Sequence, residues 1–133
     1  MERIEPLAPQ GFFQYKLPPS KSHMIRQLML ASKAIQVTEI RFEGTPGEDI
    51  ISMSNCLEKM GVNIEKYPDK WKVYPPKDGL TPPNETLYCG NSGTVAKIMT
   101  AISANFDKEI NIDGDTSLRR RSNATLSSSL RKL

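Results

Sequence analysis

Two short turns in the sequence carry residue types that bind anions. The first contains Ser20, Lys21 and Ser22 and leads into a helical pattern that also carries Arg26. The second reads Gly-Asn-Ser-Gly-Thr at residues 90–94 and also leads into a helical pattern. The first N–H groups of a helix have no acceptor within the helix and lie at the positive end of its dipole, so they favour phosphate or carboxylate. Two such turns predict a ligand with more than one anionic group.

Each turn also has a simpler interpretation. Taken singly, Lys21 and Arg26 are ordinary solvated surface charges, and only their clustering with two serines favours an anion site. Residues 90–94 form either a plain strand-to-helix turn or a loop that lets a ligand approach Gly93 closely. The loop is not a nucleotide-binding P-loop, because the Gly-Lys-Ser/Thr signature is absent.

Three consecutive arginines, residues 119–121, follow a Gly-Asp turn. Such a run is a solvated charge cluster, a weak nucleic-acid contact, or a segment in which one arginine turns inward to pair with phosphate or carboxylate. No interleaved aromatic residues support nucleic-acid binding.

Residues able to transfer protons are scarce. His23 is the only histidine, and without a partner motif it is interpreted as a structural or surface residue. Glu48 and Asp49 begin a helical pattern, which favours helix capping over general acid–base chemistry. No catalytic residue is therefore assigned.

Composition indicates an ordinary globular domain. The chain has 133 residues, 38% of them hydrophobic and 25% charged, with a net charge of +3. The N-terminus lacks the apolar run of a signal peptide, and no segment has membrane-spanning length. Cys56 and Cys89 have no metal-ligand spacing, so we expect free, mostly buried thiols in a reducing cytoplasm, without a disulfide because they lie in different parts of the pattern.

Apolar periodicity predicts alternating strands and helices. Predicted strands are residues 11–17, 35–42, 62–66, 71–74, 85–89 and 108–112. Predicted helices are residues 21–33, 45–60, 94–104 and a final segment with Leu126, Leu130 and Leu133 on one face. A turn is predicted at residues 113–115.

The pattern of strands and helices occurs twice in the sequence. At an offset of 70 residues Leu17 aligns with Leu87, and Ser22 with Ser92. This repetition predicts an N-terminal segment (1–10), a complete unit (11–75), a proline-rich linker (76–84) and an incomplete second unit (85–133).

Four motifs in order resemble one family. Residues 19–26 resemble an SKSxxxR segment, and residues 47–50 with 57–62 resemble the helix and strand that follow it. Residues 90–94 resemble a GNAGT or GNSGT loop. Residues 114–121 resemble a GDxSLxxR segment. All four are features of the 5-enolpyruvylshikimate-3-phosphate synthase family. The related UDP-N-acetylglucosamine enolpyruvyl transferases have a GAKN-type segment in place of residues 20–22 and match less well.

The resemblance implies an α/β (α+β) fold of βαβαββ repeats, one complete and one incomplete here. It implies transfer of the enolpyruvyl group of phosphoenolpyruvate to shikimate 3-phosphate in chorismate biosynthesis, without a metal or organic cofactor. The residues it assigns to shikimate 3-phosphate are Lys21, Ser22 and Arg26. The residues it assigns to phosphoenolpyruvate are Lys21, Asn91, Gly93, Thr94 and Arg121.

The second repeat ends at a helix where the first continues, which predicts the N-terminal portion of a longer enzyme. In the family the proton-transferring residues lie in a later domain, so the chain alone is expected to be inactive and to have that C-terminal domain as its partner. Residues 1–10 pair with that domain in the family. An uncovered sheet edge and an apolar helix face predict self-association.

Two other functions stay open at this point. One is a small anion- or nucleic-acid-binding module built on residues 119–121 with Arg131 and Lys132, for which a steep salt dependence of binding is expected. The other is a non-catalytic interaction fragment whose exposed strand edge pairs with another chain.

Overall fold

The computed structural model describes residue 11 and residues 16–132. The predicted segment 1–10 and most of the predicted strand 11–17 lie outside the described residues. The helices are α1 (Lys21–Ala31), α2 (Glu48–Lys59), α3 (Gly93–Ser103), α4 (Thr116–Arg119) and α5 (Ala124–Leu130). The strands are β1 (Thr38–Arg41), β2 (Asn63–Lys66), β3 (Lys70–Tyr74), β4 (Leu87–Tyr88) and β5 (Ile112–Asp113).

The first sheet has the order β1-β3-β2, and both pairs are antiparallel. The predicted hairpin is confirmed: β2 and β3 pair around a turn closed by the Tyr67 N–H bond to the Lys70 carbonyl, at 2.9 Å. Trp71 and Val73 alternate with less buried residues along β3, as expected for a strand with one face on the core. The predicted strand 35–42 is shorter than expected, and Ile35 before it is 99% exposed.

The second sheet is a short parallel pair of β4 and β5. Here the predicted strand bounds, 108–112, were wrong: the strand is Ile112–Asp113, so Asp113 belongs to the strand rather than to the turn after it. Leu87 pairs with Ile112, and the Cys89 N–H bonds to the Asp113 carbonyl at 2.8 Å. The parallel partner, which sequence periodicity does not reveal, therefore sets the end of this strand.

Three helices surround the core. Helix α2 packs against both α1 and α3, and it also contacts β4. In α1, Met24, Ile25 and Leu28 are buried, whereas Met29 is only partly buried. Ser32 is also buried, and its hydroxyl donates to the Met29 carbonyl at 2.7 Å. The largest fully buried side chains are Ile25, Leu28, Ile50, Met53, Leu57, Met60, Leu87, Met99, Val73, Val95, Cys56 and Cys89.

The predicted C-terminal helix corresponds to α5, and the short helix α4 before it was not predicted. Helix α5 packs on α3, so Leu126 and Leu130 are half-buried rather than exposed. Leu133 lies outside the described residues. No helix in the described part of the chain has the length and apolarity needed to span a membrane.

Candidate functional site

An open cavity of about 960 Å³ lies where the start of α3 meets the end of β5, α4 and the start of α2. Most of the residues predicted to bind ligand line it. Those brought together are Lys21, Asn91, Gly93, Thr94 and Arg121.

The wall formed by α3 begins with a capped helix end. Ser92 is the N-cap, and its hydroxyl accepts the Val95 N–H at 3.3 Å. Gly93 and Thr94 are the first two residues of the helix, so their N–H groups have no acceptor within it and lie at the positive end of its dipole. This geometry suits an anion in the cavity.

The loop at residues 90–94 is fixed by the segment that follows β5. The Asp115 N–H donates to the Gly90 carbonyl at 2.9 Å. A Cβ at Gly114 would overlap both that carbonyl and the Leu118 side chain, so only glycine permits this close approach. Gly90 itself has φ +56°, a left-handed conformation that favours glycine. The two glycines therefore let the two strand ends meet beneath the cavity.

Arg121 is the arginine of the run that reaches the loop. Its Nη2 donates to Asn91 Oδ1 at 2.6 Å and to Ser117 Oγ at 3.2 Å. A Cβ at Gly93 would lie 3.4 Å from the Arg121 Nη1. That separation is an ordinary van der Waals contact, so the guanidinium lies beside the start of α3.

Arg119 also lines the cavity, and its guanidinium forms an ion pair. Its guanidinium donates to both carboxylate oxygens of Asp113, at 2.9 and 2.6 Å. This pairing, together with the Gly114 N–H, lowers the pKa of Asp113 to about 2. The pair ties α4 to the end of β5, and so sets the position from which Arg121 reaches Asn91.

Lys21 enters the cavity from the start of α1 and pairs with Asp49, Nζ to Oδ2 at 3.1 Å. The predicted capping role of Glu48 and Asp49 was wrong: Gly47 is the N-cap of α2, and the cap has no side-chain hydrogen bond. Both acids instead occupy the first turn, where the helix dipole favours negative charge, and both line the cavity.

Ser22 and Arg26 do not line this cavity. The Arg26 Nη1 instead donates to the Ser22 carbonyl at 2.8 Å on the exposed side of α1. Ser20 is the N-cap of α1, but its side chain makes no capping hydrogen bond. His23 is exposed, in agreement with a surface residue.

Sequence reasoning missed three contributors to the site. Ser92 was interpreted as a loop residue, although a serine three positions before Val95 is a helix-cap signal. Asp49 was assigned to capping, and nothing in the sequence pattern links it to Lys21. Asp113 was placed in a turn, so its spacing of six residues to Arg119 was not interpreted.

Comparison with known proteins gives a consistent family. Residues 14–133 match the family model of EPSP synthase (3-phosphoshikimate 1-carboxyvinyltransferase). A 3-phosphoshikimate 1-carboxyvinyltransferase of Methanothermobacter thermautotrophicus is 35% identical over 118 residues, which are 89% of this chain and 28% of the relative. One from Synechococcus sp. is 40% identical over 111 residues, covering 80% of this chain and 25% of the relative.

The fold gives the same result. EPSP synthase from Acinetobacter baumannii superposes with a TM-score of 0.78 and 27% identity, covering 89% of this chain and 27% of that one. The chain thus spans about a quarter of the length of the relatives it matches. Sequence and fold agree over nearly all of the chain, which therefore belongs to the EPSP synthase (3-phosphoshikimate 1-carboxyvinyltransferase) family.

Proposed function

We propose that this chain supplies one substrate-binding wall for the transfer of the enolpyruvyl group of phosphoenolpyruvate to shikimate 3-phosphate. The observation that carries the proposal is that three groups able to bind an anion border one cavity. The guanidinium of Arg121 and the first turn of α3 border the same cavity as the ammonium group of Lys21.

The chemistry of phosphoenolpyruvate matches this set of donors. Its phosphate and carboxylate accept hydrogen bonds from free N–H groups such as those of Gly93 and Thr94, and from a guanidinium such as that of Arg121. Asn91 already accepts from Arg121 and holds that guanidinium toward the loop, at 2.6 Å. Pre-positioned donors are more effective than mobile ones, because less conformational entropy is lost on binding.

Shikimate 3-phosphate is proposed to bind along the start of α1, at Lys21, Ser22 and Arg26. Lys21 already faces the cavity, so it can contact both substrates. Arg26 has to release the Ser22 carbonyl before it can pair with a phosphate. We therefore expect this part of the site to change most when ligand binds.

A complete reaction needs groups that this wall does not offer. The enolpyruvyl methylene must gain a proton and the accepting hydroxyl must lose one. His23 is exposed, and Asp49 is paired with Lys21. We propose that the proton-transferring groups belong to the part of the full-length family enzymes that this chain does not cover. That part is the proposed partner of this chain in turnover.

The chain alone should then release no phosphate from the two substrates, because several catalytic groups and closure of the site are missing together. A phosphate-release assay on the purified chain checks this. Turnover at rates typical of enzymes, about 1 per second or faster, would contradict the proposal that the proton-transferring groups lie outside this chain.

The binding role is tested by calorimetric titration of the chain with phosphoenolpyruvate. Replacing Arg121 by Gln removes a charge-assisted donor, so we expect affinity to fall by about tenfold. Arg131→Gln is the matched control, because Arg131 is exposed at the end of α5 and lies outside the cavity lining. Equal weakening by both variants would show that net charge, not the cavity, attracts the ligand.

A further inference from the structure

A second open cavity, of about 620 Å³, lies between the end of α1, the end of α3 and the proline-rich segment that follows β3. It shares no lining residue with the cavity at the start of α3. The two cavities therefore lie at opposite ends of these helices. Cavities of roughly 300–1,000 Å³ are typical of small-molecule sites.

Most of this second lining is apolar. Ile35 is 99% exposed, and Leu80 and Phe106 are half-buried. A ligand with an apolar body would remove these exposed surfaces from water and gain hydrophobic free energy. The apolar residues of the lining are Ala34, Ile35, Pro75, Pro76, Leu80, Ile102 and Phe106.

The charged side chains of the lining are both positive. They are Lys33 and Lys77, which are exposed, and no acidic residue in the described part of the chain lines this cavity. Asp78 and Asp107 adjoin lining residues in the sequence but do not line the cavity themselves. Neither lysine forms an ion pair with another described residue.

Two helix ends oppose these positive charges in part. Helices α1 and α3 both end at the cavity, and a helix C-terminus carries a partial charge of roughly −0.5. Together they offset about one of the two lysine charges, so a net charge of about +1 remains. Carbonyls of both last turns already accept hydrogen bonds from the side chains of Ser32 and Asn105, so these carbonyls need no donor from a ligand. This balance favours an anion over a cation.

We propose that this cavity binds a small apolar molecule with a single negative charge, such as an aromatic carboxylate or sulfonate. The apolar body covers Ile35 and Phe106, and the charged group lies near Lys33 and Lys77. The proposal uses no residue of the cavity at the start of α3, so it stands or fails independently of the proposed enolpyruvyl chemistry.

A fluorescence titration of the full chain with two probes tests the proposal. Anilinonaphthalene sulfonate is an aromatic anion that becomes fluorescent in apolar surroundings, and phenylnaphthylamine is its uncharged counterpart. We expect each probe to bind the folded chain saturably at a single site. Absence of saturable binding of the anionic probe would overturn the proposal.

Charge recognition is tested by replacing both lysines, Lys33→Gln together with Lys77→Gln. Exposed ion pairs are weak individually, so we expect the anionic probe to bind at least about threefold more weakly and the uncharged probe to bind unchanged. Arg131→Gln together with Lys132→Gln is the matched control, because it removes two exposed charges outside this cavity. Equal weakening of the anionic probe by both double variants would overturn the proposal, since net charge alone would then attract it.

The position of the apolar body is tested by Ile35→Ser. This variant should weaken both probes at least about threefold, because an apolar contact is lost from the site. Val37→Ser is the matched control, since Val37 is 51% exposed but does not line the cavity. Unchanged binding in Ile35→Ser, or an equal loss in Val37→Ser, would overturn the proposal.

Discussion

At the residue scale, the Asp113–Arg119 pair determines how Arg121 is presented. Two hydrogen bonds join the carboxylate of Asp113 to Arg119, and the Gly114 N–H adds a third to the same carboxylate. These contacts lie at the point where β5 leads into α4. A fixed α4 in turn lets Arg121 bond to Asn91 rather than extend into solvent.

The lowered pKa of Asp113 gives this pair a pH signature. The folded-state pKa is about 2, whereas an unfolded aspartate has a pKa of about 3.9. A depressed folded pKa stabilises the fold above the unfolded value, and the contribution is lost as pH falls through about 4 toward 2. Asp113→Asn should remove this component, so its melting temperature should fall less steeply than that of the natural chain across this window.

Thermal unfolding by circular dichroism at several pH values checks the prediction. Because the Arg119 side chain is 65% exposed and that of Asp113 is 37% exposed, added salt should reduce the difference between the two proteins. If the melting temperatures of the two proteins fell equally with pH across this window, the ion pair would not stabilise the fold.

At the element scale, the start of α3 depends on its cap. Ser92 is 2% exposed, and its hydroxyl accepts the Val95 N–H. Ser92→Ala should cost about 1 kcal/mol of unfolding free energy, the usual value of a lost cap. Ser20→Ala is the matched control, because Ser20 is the N-cap of α1 but makes no side-chain cap bond. Urea denaturation of both variants measures the difference, and equal losses would refute the capping role.

Helices and the hairpin were predictable from the sequence because their signals are local. The bounds of α3 differ from prediction by one residue at each end, and Gly61, which follows the C-cap of α2, has φ +94°. Those features depend on apolar spacing and on glycine alone. The predicted α1 extends two residues too far, since Ala31 ends it and Ser32 is the C-cap.

Features that depend on distant partners were not predictable in the same way. The register of β5 is set by Leu87 and Tyr88, which lie more than twenty residues earlier. The Lys21–Asp49 pair and the contact between Cys56 and Tyr88 arise only when α2 packs on its neighbours. Local periodicity carries no information on such pairings. In the site, therefore, the motif resemblance identified most of the residues that line the cavity, whereas the contacts between them are known only from the folded structure.

At the scale of the whole molecule, exposed apolar side chains predict self-association. Leu30, Ile35 and Val37 are 66%, 99% and 51% exposed, and they follow one another at the end of α1 and before β1. Clusters of this kind favour pairing between copies. Sedimentation velocity over a wide concentration range should show a rising average mass.

Ile35→Glu should suppress that rise without unfolding the chain, because the side chain is nearly fully exposed. Thr45→Glu adds the same charge at another exposed position and should leave association unchanged. A concentration-independent monomer for the natural chain would be evidence against association through this surface.

For the molecule as a whole, the central proposal is that the cavity at the start of α3 binds phosphoenolpyruvate. Titration of the labelled chain with phosphoenolpyruvate, followed by amide NMR, tests the claim most directly. We predict the largest shifts at Gly93 and Thr94, with a smaller shift at Lys21, because free N–H groups respond strongly to a bound anion. Unmoved signals at Gly93 and Thr94, with shifts confined to α5, would contradict it.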